Sequence, residues 1–472
     1  MALSIILAFT LARSLFALTL GLGVDEAYTL VISRELHLSY FDHPPLHQWL
    51  AHFSALAFGE TPAARLPFVA LFAASGWRMF TLTRRLFGAR AGLAALVALN
   101  AAPFFFASAG AWIVPDGVLV FALLGAADAL ARIDADAKPS TPLWLELGIW
   151  FGLAGLSKYS AVLVALGALG FLASNAQGRA KLLSPGPALG ALLALAMIAP
   201  VIVWNAGHEW ASFAFQGARG APSAKLHVDR VLAMLAGEAA YLTPWFGFAL
   251  VAGATARSHA VRLCLWLALP TILVFTLTPL WGARGLPHWP MPGWLLLFPG
   301  LGAWAAARDW RRWGMAASAV SLALALVFVS QARLGWATPW LGGADVTREA
   351  LDWGALRAAL PPGPPPAFAA SVKWSDAGKI GVALGPDVKV LVYSGDPRGF
   401  AFQDGQAALL GKDGVLIVRA DQEAAARAAL AFDFDSLGEA RAVAIGRGGA
   451  SEIPLAAIPA RGLRSIDPPA PP

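Results

Sequence analysis

The stretch MALSIILAFTLARSLFALTLGLGVDEAYTL, residues 1–30, decides how this chain is read. Met1 to Gly23 is apolar and long enough to cross a bilayer. Two carboxylates, Asp25 and Glu26, follow at once. Charge is costly near hydrocarbon, so an acidic pair at the rim of a span is a functional candidate by default. Asp116, in WIVPDGVLVF, repeats the arrangement where a second apolar segment meets a loop. Adjacent helix positions diverge by about 100°, so only one of Asp25 and Glu26 can face a given site. Such a carboxylate can take a proton from a hydroxyl. The plainer reading is a charge that favours the N–H groups of a helix terminus. Asp116 on the same expected side tips the balance towards chemistry.

Working outward, the first span is a retained membrane helix rather than a cleaved leader. It lacks a basic start and a small-residue cleavage site, and it is too long. Arg13 within it is expected to face other helices or to snorkel. The whole chain is 58% hydrophobic and only 14% charged. An ordinary soluble domain carries about 25% charged residues, so the composition is that of a polytopic membrane protein. The net charge of +6 does not point to nucleic acid, because the basic residues are scattered through short loops. Cys264 is the single cysteine, which leaves no disulfide and no cysteine metal site.

Apolar runs recur near 3–23, 65–83, 91–108, 116–133, 143–157, 160–176, 187–205, 231–254, 261–280, 291–307 and 314–331. They predict about eleven transmembrane helices. The fifth and sixth are short and meet at SKYS, which leaves open a broken pair. Basic residues in short loops set the cytoplasmic side. Arg84, Arg85, Arg90, Arg132, Lys138, Arg179, Lys181, Arg257, Arg262, Arg308, Arg311 and Arg312 all fall on one side if every run crosses. Asp25, Asp116, the SKYS turn and the long loops 24–64, 206–230 and 281–290 then lie outside the cytoplasm. A transfer reaction there needs an activated donor that crosses by itself, such as a lipid-linked one.

Loop 24–64 holds YTLVISRELHL and PPLHQWLAHFSALAF, whose spacing predicts two interfacial helices, with Trp49, Phe53 and Phe58 at the boundary. After about residue 335 the texture changes. PPGPPPAF, 361–368, is a break. The runs VKVLVYS and GVLIVRA read as strands and DQEAAARAALAF as a helix. The expected organisation is a transmembrane domain, 1–335, and a small extracytoplasmic α/β domain, 345–472, with a Pro-rich end. Structural support or acceptor docking suits that domain better than chemistry. The chain shows no internal repeat of the kind common in transporters.

Further candidates lie in the loops. In YFDHPPL, 40–46, two prolines fix the backbone and hold Asp42 and His43 at a membrane-facing turn, unless Asp42 is only a cap. His43 could donate to a phosphate oxygen. His43 and His47 are four apart, but Pro44 and Pro45 intervene and no metal frame surrounds them, so no metal is expected. Lys158, in AGLSKYSAV, costs about 2.5–3.5 kcal/mol at a helix centre. It needs a partner, either a site carboxylate or a bound phosphate. WNAGHEWASFAFQGARG, 204–220, and ARGLPHWPMPGW, 283–294, place Asn205, His208, Glu209, Trp210, Gln216, Arg284, His288 and Trp289 on the outer side. Aromatics beside amides and histidines suit a sugar platform, and equally an interfacial belt.

DEAY at 25–28, YFDHPPL at 40–46, RLP at 65–67, PDGVL at 115–119 and LSKYSA at 156–161 come in an order that resembles membrane glycosyltransferases of GT-C type. The specific likeness is to the bacterial branch of glycosyltransferase family 39, similar to dolichyl-phosphate-mannose protein mannosyltransferases and to lipid A aminoarabinose transferases. The resemblance implies sugar transfer from a polyprenyl-phosphate carrier to a lipid, glycan or protein acceptor at the outer face of a bacterial inner membrane. Asp25 and Asp116 match the family's acidic positions, Asp25 being the preferred base, with Glu26 beside it. Lys158, His43 and Arg65 fall where the carrier phosphate would be held. Tyr28, Asp42, Tyr159, Asn205, His208, Trp210 and His288 would contact substrate. The expected step is an inverting single displacement without cofactor. One departure stands out: the aminoarabinose transferases carry lysine before the two prolines, where this chain has His43. The competing reading is a transporter or flippase of lipid-linked saccharides, and a third is a structural envelope-assembly protein acting through its tail.

Overall fold

The computed structural model describes residues 1–220, 225–247, 258–283, 285–360 and 364–466. Arg257, Arg284, residues 248–254 of the eighth expected span, the start of PPGPPPAF and the Pro-rich end lie outside the described residues. The chain forms two compact units. One comprises Met1–Leu15, His37–His47 and Leu66–Ala325; the other comprises Phe16–Leu36, Gln48–Arg65 and Leu326–Pro472.

In chain order the longer helices are α1 (Ala2–Thr19), α2 (Val24–Ile32), α3 (Leu46–Phe58), α4 (Leu66–Phe87), α5 (Ala89–Ala101), α6 (Pro103–Phe106), α7 (Ser108–Ala111), α8 (Pro115–Ala135), α9 (Thr141–Ser157), α10 (Ala161–Ala173), α11 (Ala176–Leu182), α12 (Pro185–Gly207), α13 (Ala211–Arg219), α14 (Val228–Leu242), α15 (His259–Leu277), α16 (Met291–Ala306) and α17 (Trp310–Leu334). Each apolar run is helical, the eighth as far as it is described, but the third is divided among α5, α6 and the start of α7, and the sixth ends at the start of α11. Among the described residues five helical segments are long and apolar enough to cross a membrane, and up to seven if each of two bent pairs is one span. The chain is therefore a multi-pass membrane protein.

The bends lie elsewhere than at SKYS. One of 79° joins α5 to the α6–α7 segment, and one of 116° joins α10 to α11. The first has a local cause: Pro103 has no N–H and disfavours helical geometry at Ala102, which is extended at ψ 127°. Arg13 completes it. Its buried guanidinium donates from Nε to the Phe106 carbonyl at 2.9 Å and from Nη2 to Asn100 Oδ1 at 3.0 Å. It also lies over the Phe72 and Phe106 rings. Arg13 thus faces other helices, and it caps a carbonyl beside the bend.

The helices that carry site residues are held by close backbone approach. Gly148 and Gly152 on α9, and Gly186 and Gly190 on α12, are each four positions apart, the spacing that lets membrane helices touch backbone to backbone. A Cβ at Gly148 would come within 2.2 Å of the Gly190 carbonyl oxygen, and one at Gly190 within 2.5 Å of that of Trp144.

The second unit contains the two helices expected in loop 24–64. On α3, Phe53, Leu56 and Phe58 are exposed, as an interfacial helix requires. On α2, by contrast, Glu26 through Ile32 are buried in protein. The same unit holds a six-stranded sheet in the order β2-β1-β3-β6-β4, with β5 also paired to β6. Its strands are β1 (Phe368–Ser371), β2 (Lys389–Val392), β3 (Gly414–Arg419), β4 (Phe434–Leu437), β5 (Arg441–Arg447) and β6 (Ala450–Leu463). β1 runs parallel to β2 and β3, and β6 is antiparallel to its neighbours. Alternation along β3 sends Val415 and Ile417 to one core, with Ile380 and Leu384 of α18 (Trp374–Leu384). It sends Leu416 and Val418 to another, with Ala426 of α19 (Glu423–Ala429) and Leu430. Both faces are covered, which is why this strand reads as a continuous apolar run.

Candidate active site

In the first unit, Asp116 lies in the first turn of α8 behind Pro115, and Lys158 ends α9 with extended backbone. Lys158 Nζ donates to Asp116 Oδ1 at 2.9 Å. Side-chain exposures of 11% and 8% put this ion pair largely out of water, where each charge depends on the other. The structure therefore supplies the partner that Lys158 requires.

His43 and His288 lie within electrostatic reach of this pair, and Arg219 within reach of both histidines. The double proline ends the turn that carries His43 and starts α3, which brings His47 beside it. The two imidazoles meet edge to face with centroids 5.4 Å apart. Nδ1 of each is buried without a hydrogen-bond partner among the described residues. Burial, and after it the charge of Lys158, push His43 down to about 3 against the opposing pull of Asp116. His288 is pushed down to about 4, again by burial first and Lys158 second. His47 is lowered well below its ordinary value by burial and by His43. These rings are neutral near pH 7. The position before the double proline, a cation in the aminoarabinose transferases, is here an uncharged donor or acceptor, and Lys158 and Arg219 carry the positive charge.

Other expected contacts lie in the same unit. Asp42 is buried, and its carbonyl accepts from Gln216 Nε2 at 2.6 Å. The Tyr159 hydroxyl and Ser212 Oγ are 2.6 Å apart. Asn205 is buried; its Nδ2 donates to the Val201 carbonyl, and its own carbonyl accepts from the His208 and Trp210 amides. The His208 ring stacks on Trp204 at 4.1 Å. Trp210 is 48% exposed and begins α13 in a left-handed conformation, φ 59°. Its open ring remains a platform candidate, whereas Asn205 shapes the turn.

In the second unit the acidic pair splits. Asp25 is exposed on the first turn of α2, and Glu26 is buried. Glu26 accepts both bonds of an Arg65 fork, at 2.7 and 2.5 Å, and caps the helix through the Gly23 N–H at 2.7 Å. Arg65 has five N–H donors. Its other three bonds go to the carbonyls of Ala17, Leu20 and Gly21. In this structure each of these five donors has an acceptor within the protein, and Glu26 braces the start of α2. Tyr28 is 4% exposed, packs edge-on against Trp374 and Phe400, and accepts from the Gly399 N–H.

Sequence reasoning passed over His47, weighed only as half of a metal pair, and Ser212 and Arg219. The signal for Arg219 was present: a cation three residues beyond Gln216 on one short helix.

The fold, with a buried acid–lysine pair at helix ends beside loop histidines, is that of a GT-C-type membrane protein. Residues 42–204, which hold His43, Asp116 and Lys158 but not Asp25, match the family described as dolichyl-phosphate-mannose-protein mannosyltransferase. The fold is shared with ArnT from Cupriavidus metallidurans. In its apo state ArnT aligns with a TM-score of 0.64 at 18% identity, over 96% of this chain and 97% of that one. The ArnT structure bound to undecaprenyl phosphate gives 0.64 at 16% identity, again over 96% and 97%. The oligosaccharyltransferase of Archaeoglobus fulgidus, in complex with zinc and sulfate, aligns at 0.48 and 12% identity over 93% of this chain and 72% of that one. Among curated proteins, none matches the chain. The family 39 resemblance drawn from the motifs is thus borne out.

Proposed function

We propose that the chain transfers a sugar from a polyprenyl-phosphate carrier to a hydroxyl of an envelope lipid or glycan at the outer face of the inner membrane. The observation that carries this reading is the sequestered Asp116–Lys158 pair with neutral His43 in reach, all three inside the segment that matches the mannosyltransferase family, and with neutral His288 beside them. That cluster offers one ammonium and adjustable imidazole donors to a phosphate. The ArnT structure with undecaprenyl phosphate adds support from a protein of the same fold.

In the proposed step the acceptor hydroxyl gives its proton to the Asp25 carboxylate while its oxygen forms a bond to the anomeric carbon. The bond from that carbon to the phosphate oxygen breaks, and its electron pair leaves with the carrier phosphate. Lys158 stabilises the released charge, which draws the ammonium partly away from Asp116. Attack opposite the leaving group inverts the anomeric centre.

The test uses purified protein in vesicles with radiolabelled undecaprenyl-phosphate sugars, one hexose and one aminopentose, and envelope lipid as acceptor. Label should move to the acceptor. Asp25→Asn should lower the rate about 10²–10⁴-fold, the usual contribution of a positioned base, and Asp116→Asn should also impair it. Movement of unaltered lipid across the vesicle without transfer, or full activity of both variants, would overturn the reading.

A further inference from the structure

We infer that Lys379, in the soluble α/β part of the second unit, is a positioning residue that fixes the entry of α2 and with it the direction of Asp25. This rests on the reading of Asp25 as the base, but its geometry stands apart from that reading.

Lys379 lies on α18 and is 5% exposed. Its ammonium donates to the carbonyl of Leu22, three residues before Asp25, and to those of Glu349 and Leu351 at 2.9 and 2.7 Å. Three donors meet three carbonyls, and no carboxylate is in contact among the described residues. Burial pushes this lysine down to about 8, with Glu26, Asp352 and Glu349 opposing and Arg65 adding to the shift. A buried cation of this kind is costly, and here it holds backbone that no regular element satisfies.

The segment between α1 and α2 needs such holding. The last carbonyls of a helix have no partner within it. Arg65 takes those of Ala17, Leu20 and Gly21, and Lys379 takes that of Leu22. Two buried cations thus clamp the approach to Asp25. Along α2 itself the backbone of α18 lies close: a Cβ at Gly378 would come within 2.6 Å of the Tyr28 nitrogen. Arg34, just past the end of α2, donates to the Gly381 and Val388 carbonyls at 2.8 and 3.1 Å while paired with Glu60. The helix is tied at both ends, and Lys379 is the tie that joins the segment before Asp25 to the α/β part. Fixing such a group in advance removes ordering cost from the chemical step.

The experiment is hydrogen–deuterium exchange on the full chain in nanodiscs, comparing wild type, Lys379→Met, Lys379→Gln and Lys379→Arg. Amides 24–28 should exchange about tenfold faster or more in the Met variant, as expected for losing at least one buried hydrogen bond. The Gln variant should be intermediate and the Arg variant close to wild type. Exchange in β3, 414–419, should be unchanged. If the Met variant unfolds, Gln against Arg decides. Unchanged exchange at 24–28, or equal loosening of 24–28 and 414–419, would overturn the proposal. Where vesicles transfer sugar, Lys379→Met should lower kcat with KM for the undecaprenyl-phosphate sugar unchanged, and Lys379→Arg should restore it; a change in KM alone counts against positioning. Absence of transfer by wild type defeats the glycosyltransferase reading, while the exchange result still judges Lys379.

Discussion

At the scale of residues, the buried charges divide by how many of their hydrogen bonds the protein itself uses. Arg65 and Glu26 consume each other and three carbonyls. Among the described residues Lys158 has one acceptor, Asp116, so its remaining donors are available to a phosphate. His43 differs again, being a titratable ring held neutral. Its lowered value has a consequence for stability whose sign is fixed. The unfolded chain binds a proton at His43 near pH 6.5, and the native state does not until about pH 3. Between those values the unfolded state holds more protons, so stability is complete above pH 6.5 and is lost as pH falls. The groups facing the ring are His47, Lys158, Asp116, Arg219 and His288. Thermal unfolding in detergent should therefore show a lower midpoint at pH 5.0 than at pH 7.5. The drop should shrink in His43→Gln, which keeps a polar side chain and cannot titrate. An equal drop in both proteins would show that His43 is not the source.

At the scale of elements, the apolar runs made the helices legible, because an unbroken greasy stretch in this composition has few other fates. The bends were less so. Pro103 marks one of them, but the sequence does not say that Arg13, some 90 residues away, waits to take the freed carbonyl. β6 was hidden for a physical reason: Pro454 and Pro459 argue against a paired strand, and yet both lie within its ladder. β1 is only four residues long and carries too little pattern to read. The candidate site was legible where one charge stood alone in apolar sequence, as Asp116 and Lys158 do. It was not legible at Glu26 and Arg65, whose pairing across 39 positions forms a brace that no local pattern announces. The glycine contact between α9 and α12 makes a test at this scale. Gly148→Leu must push the helices apart, since even a Cβ meets the Gly190 carbonyl at 2.2 Å. Overpacking of this kind costs about 1–3 kcal/mol. The midpoint of thermal unfolding should fall, and transfer should fall with it because Lys158 ends α9. Gly155→Ala is the milder comparison, its Cβ meeting only the flexible Ile198 side chain. Equal midpoints for Gly148→Leu and wild type would mean that the two helices do not depend on this approach.

At the scale of the whole chain, the compact units do not follow the sequence. Texture alone divides the protein near residue 345, with membrane helices before and an α/β domain after. Yet Phe16–Leu36 and Gln48–Arg65 belong to the same compact unit as the C-terminal sheet. The reason is visible on α2, whose buried residues Glu26 to Ile32 are covered in large part by α18 and the segments around Phe400. An amphipathic helix whose apolar side could meet either lipid or protein reads the same in one dimension, so a membrane-lying helix and a protein-covered one could not be told apart. The difference has an experimental consequence. If the tail were a separable module, a chain ending at residue 344 would keep an ordered loop 24–64. The packing predicts the reverse: without residues 345–472, Tyr28, Val31 and Ile32 lose their cover, and the carbonyl of Leu22 now held through Lys379, with the Asp25 turn beside it, comes loose. Each large apolar side chain left uncovered forfeits about 1.5–3 kcal/mol, more together than a nine-residue helix can sustain alone. Limited proteolysis in nanodiscs should cut the truncated chain within 20–36 while sparing the full-length protein there. Equal resistance of the two chains in this segment would show that α2 is held by something other than the C-terminal sheet and its helices.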